Sequence, residues 1–213
     1  MALAHHVLTV TAFSQNCSVL WCTATQRAAV VDPGGDVEEI VAFLADHQLR
    51  LDKVLLTHGH IDHAGGAAQL AGQFNAPIEG PQPADKFWLD KLPEQAQMFH
   101  FPHKCDPLTP QRWLEEGETV QIGNETMSVL HCPGHTPGHI VFYSAAAGLL
   151  VAGDVLFYRS IGRADFPQSN PQHLLDAIRQ KLYTLPDDTL VLPGHGRTTT
   201  IGDEKRHNPF VHE

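Results

Sequence analysis

The sequence predicts an α/β protein in which two β-sheets pack together and carry helices on their outer faces. Three observations lead there. Short apolar runs of strand length recur along the chain and are separated by a few amphipathic helical stretches, a pattern that layered sheet-and-helix folds satisfy. Four of those runs stop in a short segment bearing glycine with His or Asp, at 57–63, 131–139, 153–154 and 194–196. No long linker, low-complexity run or tandem repeat interrupts the 213 residues, and a hydrophobic content of 42% is enough for a sizeable core.

Residues 5–13 and 16–23 alternate apolar and polar about a break at Ser14-Gln15-Asn16, which predicts a hairpin. Arg27 to Val31 is a third strand, stopped by Asp32-Pro33-Gly34-Gly35; Asp32 serves either the turn or the support of a metal ligand. Asp36 is placed to cap a helix to about residue 48, with Val37, Ile40, Val41 and Leu44 on one face. Lys53 to Leu56 is a buried strand, and a helix is expected from Ala64 to about Phe74, followed by a short strand at 76–80. The stretch 83–112 carries five prolines, Pro102 among them, with Phe87, Trp88, Met98, Phe99 and Phe101 between. It reads as a loop with a helical turn packed on the core, or as a lid over a site. Strands follow at 119–122, 126–130, 139–143 and 149–151, the first pair turning at Gly123-Asn124. Asn170 or Ser169 can cap a helix over about 171–183, with Pro171 at its first position, and a last strand runs from Thr189 to Leu192.

Composition excludes several classes. The formal net charge of −10 argues against a nucleic-acid groove. No stretch approaches the ~20 apolar residues of a membrane span, and the N-terminus lacks a basic segment followed by an apolar one. Cys17, Cys22, Cys105 and Cys132 show neither CxxC nor a disulfide-framework spacing, which fits a reducing cytoplasm. No obligate protein partner is evident.

The segment Thr57-His58-Gly59-His60-Ile61-Asp62-His63 packs three imidazoles and a carboxylate into a strand-to-helix turn, where α/β folds commonly place ligands. His58 and His60, two apart, can point the same way from extended backbone, while Asp62 and His63 face a second point after the chain turns. One loop can thus serve two metal ions. Metal centres draw on His, Asp, Glu and Cys, and His135, Asp154 and His195 lie in the later segments.

With those three positions, the motif His58-Gly59-His60-Ile61-Asp62-His63 resembles the metallo-β-lactamase superfamily over nearly the whole chain. The resemblance implies an αβ/βα four-layer sandwich, two mixed β-sheets flanked by helices, forming one domain over residues 1–213. It implies two divalent metal ions in a cleft between the sheets, Zn first, with Fe or Mn compatible. His58, His60 and His135 would hold one, and Asp62, His63 and His195 the other, with Asp154 as a bridge. The segments 132–139 and 162–166 resemble glyoxalase II-like hydrolases and the related persulfide dioxygenases. The tail Pro193-Gly194-His195-Gly196 with Thr199 to Gly202, Glu204 and Asn208-Pro209-Phe210 resembles short bacterial glyoxalase II-like proteins. Longer glyoxalase II enzymes add a C-terminal helical glutathione-binding domain, and this sequence ends at Glu213 before one. Arg163 falls where those enzymes carry a basic substrate-binding residue; it either contacts an anionic acyl or thiol group or pairs with Asp165.

The implied chemistry is thioester hydrolysis, S-D-lactoylglutathione to D-lactate and glutathione, with water activated by the metals and oriented by Asp62. Two dications, two carboxylates and one hydroxide leave about one positive charge, which favours a small anionic thioester as partner. The absence of a Gly-x-Ser-x-Gly segment argues against a serine esterase. Cys132 either packs in a strand end or acts directly, and His131 and His139 are expected to support ligands rather than bind metal. Two other readings stand beside the hydrolase, apart from hydrolysis of another small ester, thioester or lactone. One is a mononuclear iron persulfide dioxygenase, the other a non-catalytic metal-binding module.

Overall fold

A computed structural model describes residues 2–101 and 105–211. Pro102, counted above in the 83–112 stretch, lies outside the described residues. The N-terminal half forms a five-stranded sheet in sequence order: β1 (Leu3–Val10), β2 (Gln15–Cys22), β3 (Arg27–Val31), β4 (Arg50–Leu55) and β5 (Ile78–Glu79). The first three strands pair antiparallel; β3–β4 and β4–β5 are parallel. α1 (Val37–Asp46) and α3 (Ala67–Phe74) supply the crossovers, with the single turn α2 (Ile61–Ala64) ahead of α3. Next come α4 (Lys86–Asp90) and α5 (Leu92–Met98).

The C-terminal half builds a second sheet from β6 (Thr119–Ile122), β7 (Glu125–His131), β8 (Ile140–Ser144), β9 (Leu149–Gly153), β12 (Leu190–Pro193) and β13 (Thr199–Thr200), in the spatial order β13-β12-β9-β8-β7-β6. A small hairpin, β10 (Leu156–Phe157) with β11 (Ser160–Ile161), follows β9. α6 (Pro171–Ala177) runs on through a wider turn at Ile178–Leu182, and α7 (Ile201–His207) closes the described chain.

The two-residue period of the strands sorts the core into three layers. In β3, Ala28 and Val30 face Val37, Ile40, Leu44 and Leu70 of the helices, while Ala29 and Val31 face the other sheet. In β8, Phe142 joins that inter-sheet layer and Val141 points to Leu174, Ile178 and Ile201 of the outer helices. Both faces of these central strands are covered, which is why they read as unbroken apolar runs. The architecture is helix, sheet, sheet, helix.

Several expectations change. Asp36 occupies the N-cap position of α1 but has a left-handed backbone (φ 46°) and makes no capping bond through its side chain. Its Oδ2 instead accepts the Thr11 N–H at 2.6 Å, tying the β1–β2 turn to the start of the helix. Val41 is only half-buried at the edge of the apolar face. The single helix expected from Ala64 is broken at Gly65-Gly66. The stretch after Pro83 holds a 3-10 turn and two short helices, not one helical turn. The hairpin β10–β11, β13 and α7 were not anticipated, because elements this short carry no readable periodicity.

Candidate metal centre

The C-terminal ends of β4, β7, β9 and β12 lie along one edge of the sandwich, and each releases ligand-type side chains there. The chain bends at Thr57 after β4 and reaches an extended His60; the His60 carbonyl then accepts the Ala64 N–H at 2.9 Å, and the turn α2 presents Asp62 and His63. His135 lies in the loop after β7, Asp154 immediately after β9, and His195 after β12. The ligand atoms of His58, His60 and His135 lie within 4.8 Å of one another, as do those of Asp62, His63 and His195. Asp154 stands between the two groups: Oδ2 is 3.5 Å from His135 Nε2 and 3.7 Å from His195 Nε2, and Oδ1 is 3.4 Å from His63 Nε2. Glycine is required beside it, since a Cβ on Gly194 would collide with the Asp154 carboxylate. Gly153 additionally has φ +48°.

Hydrogen bonds behind the ligands set their tautomers. Asp32 accepts the Thr57 N–H at 2.8 Å, the Thr57 hydroxyl at 2.6 Å and His63 Nδ1–H at 3.0 Å. Because the Thr57 hydroxyl spends its proton on Asp32, it accepts from His58 Nδ1 at 3.0 Å. The Arg163 carbonyl, only an acceptor, takes His135 Nδ1–H at 2.7 Å. His58, His63 and His135 therefore all keep Nδ1–H on the outer side and turn Nε2 toward the centre. His139 Nε2 accepts the Asp154 N–H at 3.0 Å and its ring stacks on His58. Asp32 thus supports ligands, whatever else it does in the turn.

The arrangement fits divalent metal. His60 Nδ1 is 3.1 Å from His58 Nε2 and 2.9 Å from His135 Nε2. Ligand nitrogens about 2.0–2.1 Å from a tetrahedral ion are ~3.4 Å apart, so these three need open only slightly. His63 Nε2 and Asp154 Oδ1 are buried and lack hydrogen-bond partners among the described residues, as a pair awaiting a cation would. A third grouping, Asp32 with His58 and His63, is equally close, but its carboxylate and His63 Nδ1 are already bonded to each other, so it acts as inner support.

Charge divides the cluster in two. Burial, with neighbouring imidazoles, pushes His58 well below the usual histidine range and His60 down to about 3. Burial also lowers His135, outweighing the pull of Asp154. Burial acts the same way on His63 and His195, but there carboxylates win: Asp154 and Asp62 hold His63 well above its ordinary value, and Asp62 and Asp154 raise His195. Asp154 is buried yet kept below the carboxylate range, first by His63. The first triad is held neutral, one N–H to each ring; the second is drawn toward the protonated form.

A cavity of about 560 Å³ opens over the cluster, lined by His60, Asp62, His135, Asp154 and His195 at its floor. Arg163 lies on its rim. Of the two alternatives raised for it, the pair with Asp165 is present: its guanidinium bonds that carboxylate in bidentate fashion at 3.0 and 2.9 Å. Cys132 is fully buried, and burial pushes its thiol up to about 12, which makes it a packing residue. All four cysteines are buried, and no disulfide occurs among the described residues. His131 Nε2 donates to the Pro137 carbonyl at 2.8 Å and holds the 131–139 loop.

Two functional supports escaped the sequence. Buried Asp85, from the 83–112 stretch, accepts the Gly59 N–H (2.9 Å), the Thr136 hydroxyl (2.8 Å) and the Gly138 N–H (2.5 Å), tying the first histidine loop to the loop of His135. Asn16 Nδ2 donates to the Pro193 and Gly196 carbonyls at 3.0 and 2.7 Å, clasping the His195 loop from the other sheet. A lone Asp or Asn in a turn carries no local signal of such a task. Gln82 also accepts from the Ala84 N–H at 2.7 Å, which starts the 3-10 turn that delivers Asp85.

Fold and cluster together define a metallohydrolase architecture, and a model of the metallo-β-lactamase superfamily matches residues 10–195; the chain belongs to that superfamily. Within it, the chain is 46% identical over 206 residues to the hydroxyacylglutathione hydrolase GloC of Haemophilus influenzae, covering 96% of each. The solved structure of BLEG-1, a B3 metallo-β-lactamase, matches with a TM-score of 0.89 at 34% identity, over 98% of this chain and 99% of that one. TTHA1623 in a di-iron-bound form matches with a TM-score of 0.87 at 33% identity, over 97% and 100%. No helix among the described residues is long and apolar enough to cross a membrane.

Proposed function

We propose that the protein hydrolyses thioesters of the hydroxyacylglutathione type, using two divalent metal ions. The observation that carries this is the position of Asp154, within 3.7 Å of ligand nitrogens in both triads. His58, His60 and His135 would hold one ion and Asp62, His63 and His195 the other. Bound metal there supplies Lewis acidity, which brings the pKa of water to about 7 and offsets charge developing on the carbonyl oxygen. Asp62, whose Oδ2 is 3.2 Å from His195 Nε2, can accept a proton from water and aim its lone pair at the acyl carbon. Water supplies the hydroxyl of the acid, the C–S bond breaks, and the thiolate takes the remaining proton. Arg163 on the rim keeps donors beyond those given to Asp165 for an anionic end of the substrate. The GloC likeness supports the thioester class, and the di-iron relative supports two metals.

Metal analysis run beside an anaerobic assay tests the reading. About two metal equivalents per chain and hydrolysis of S-D-lactoylglutathione without oxygen are expected. One iron per chain, with oxygen uptake tied to loss of glutathione persulfide, would replace it with the dioxygenase reading.

A further inference from the structure

The wall of the cavity above the cluster has a chemistry of its own. Phe13 reaches it from the β1–β2 turn, Phe87 and Trp88 from α4, Met98 and Phe99 from the end of α5, and Phe166 from the loop after β11. Phe13, Met98 and Phe99 are 37%, 73% and 45% exposed, three of the five large apolar side chains that stand in water among the described residues. Their gathering at one mouth sets them apart from scattered surface apolar residues. Phe13 and Phe99 meet edge to face at 5.7 Å, so the mouth is already assembled.

The cations of this wall are each already paired, Arg163 keeping only the donors it does not give to Asp165. Lys91 Nζ lies 3.5 Å from Glu94 and 4.6 Å over the Phe87 ring. Arg163 is paired with Asp165 and lies 4.6 Å over Phe166. Each cation sits against a carboxylate and an aromatic face, so the wall adds little net charge. A glutathione moiety carries two carboxylates and an ammonium, and a wall built mainly of five Phe, a Trp and a Met offers them few partners. An apolar body bound here would cover side chains that are otherwise wet.

Resting on the thioester reading above, we propose that the preferred substrate is a thioester with an apolar body, an alkyl chain or one aromatic ring, held on the Phe13, Phe87, Met98 and Phe99 wall while the thioester carbon sits over the histidines. The apolar body is the recognised feature, on whichever side of the C–S bond it is carried.

The test uses metal-loaded protein and two substrate series. One is alkanoyl thioesters of N-acetylcysteamine from acetyl to octanoyl; the other is acetyl thioesters of alkyl thiols of matching length. In one series kcat/KM should rise about fourfold per methylene, the gain from burying one CH2, until the wall is covered. The rising series identifies the side that carries the body. Phe99→Ser and Met98→Ser, both at exposed positions, should together lower the octanoyl-to-acetyl ratio, or its thiol-side counterpart, about tenfold; Phe13→Ser provides an independent variant. Binding of uncleavable 2-oxoalkyl thioethers, followed by calorimetry with and without metal, should tighten with chain length. Flat dependence in both series and in binding overturns the proposal; if S-D-lactoylglutathione is still cleaved, the hydrolase reading survives alone. A chain-length gain untouched in all three variants also overturns it. Length-dependent binding with no thioester cleaved upholds the apolar wall and overturns the hydrolase reading instead.

Discussion

Replacing Asp32 with Asn tests whether one buried carboxylate sets the protonation of two ligands. Its Oδ1 holds the Thr57 N–H, and its Oδ2 holds both the Thr57 hydroxyl and His63 Nδ1–H. An amide has one acceptor oxygen. If that oxygen keeps the Thr57 N–H, the amide NH2 faces Thr57 Oγ1 and His63 Nδ1, and both must become acceptors. His63 then carries its proton on Nε2, toward the centre. The Thr57 hydroxyl donates to His58 Nδ1, which moves the His58 proton to Nε2 as well. The opposite amide orientation sets two donors against each other in a fully enclosed place, at a cost of about 1–3 kcal/mol. Loss of a partner behind a metal-binding His weakens metal affinity by roughly 10–100-fold, about 1.4–2.7 kcal/mol. With one ligand in each triad affected, Asp32→Asn should weaken both metals by at least about tenfold. Competition with a fluorescent chelator measures the affinity, and nitrogen-15 NMR of the imidazoles reads the tautomers. Unchanged affinity with His63 still protonated at Nδ1 would refute the reasoning.

Acid should strip the second triad first: His63 and His195 are drawn above the ordinary histidine value, whereas His58, His60 and His135 lie below it, so protons displace metal from Asp62, His63 and His195 at the higher pH. Metal content followed during acid titration should fall in two steps, His195→Ala should abolish the earlier one, and a single step in both proteins would contradict the division. Arg163→Ala should raise KM for an anionic acyl-glutathione several-fold more than for a neutral thioester at unchanged metal content; equal effects would leave Arg163 as loop structure held by Asp165. Burial raises Asp85 to about 6 against three donors, so its stabilising contribution is full below about 3.8 and is lost as pH rises through about 6. In urea titrations of metal-free protein, the gap between wild type and Asp85→Asn should narrow by roughly 2 kcal/mol between pH 4 and pH 7. A gap that stays constant would mean that Asp85 is ionised throughout.

The layered fold and the cluster of seven are legible in the order of residues alone. Central strands such as Arg27–Val31 and Leu149–Gly153 announce themselves as apolar runs because both their faces are buried. His58, His60, Asp62 and His63 are adjacent in the chain, so a local motif displays them, and His135, Asp154 and His195 each end such a run beside glycine. Tertiary structure decided what stands behind and above them. Asp32 meets His63 across 31 residues, Asp85 meets Gly138 across 53, and Asn16 meets the Pro193 carbonyl across 177. Hydrogen bonds over such separations leave no periodicity, since each needs only one polar side chain in an irregular turn. The aromatic mouth is of the same kind: Phe13 and Phe99 belong to segments 86 residues apart and become one surface only when the β1–β2 turn and α5 flank the same edge. Local pattern records which side chains a strand or helix must bury, and only packing decides which distant turns share a site.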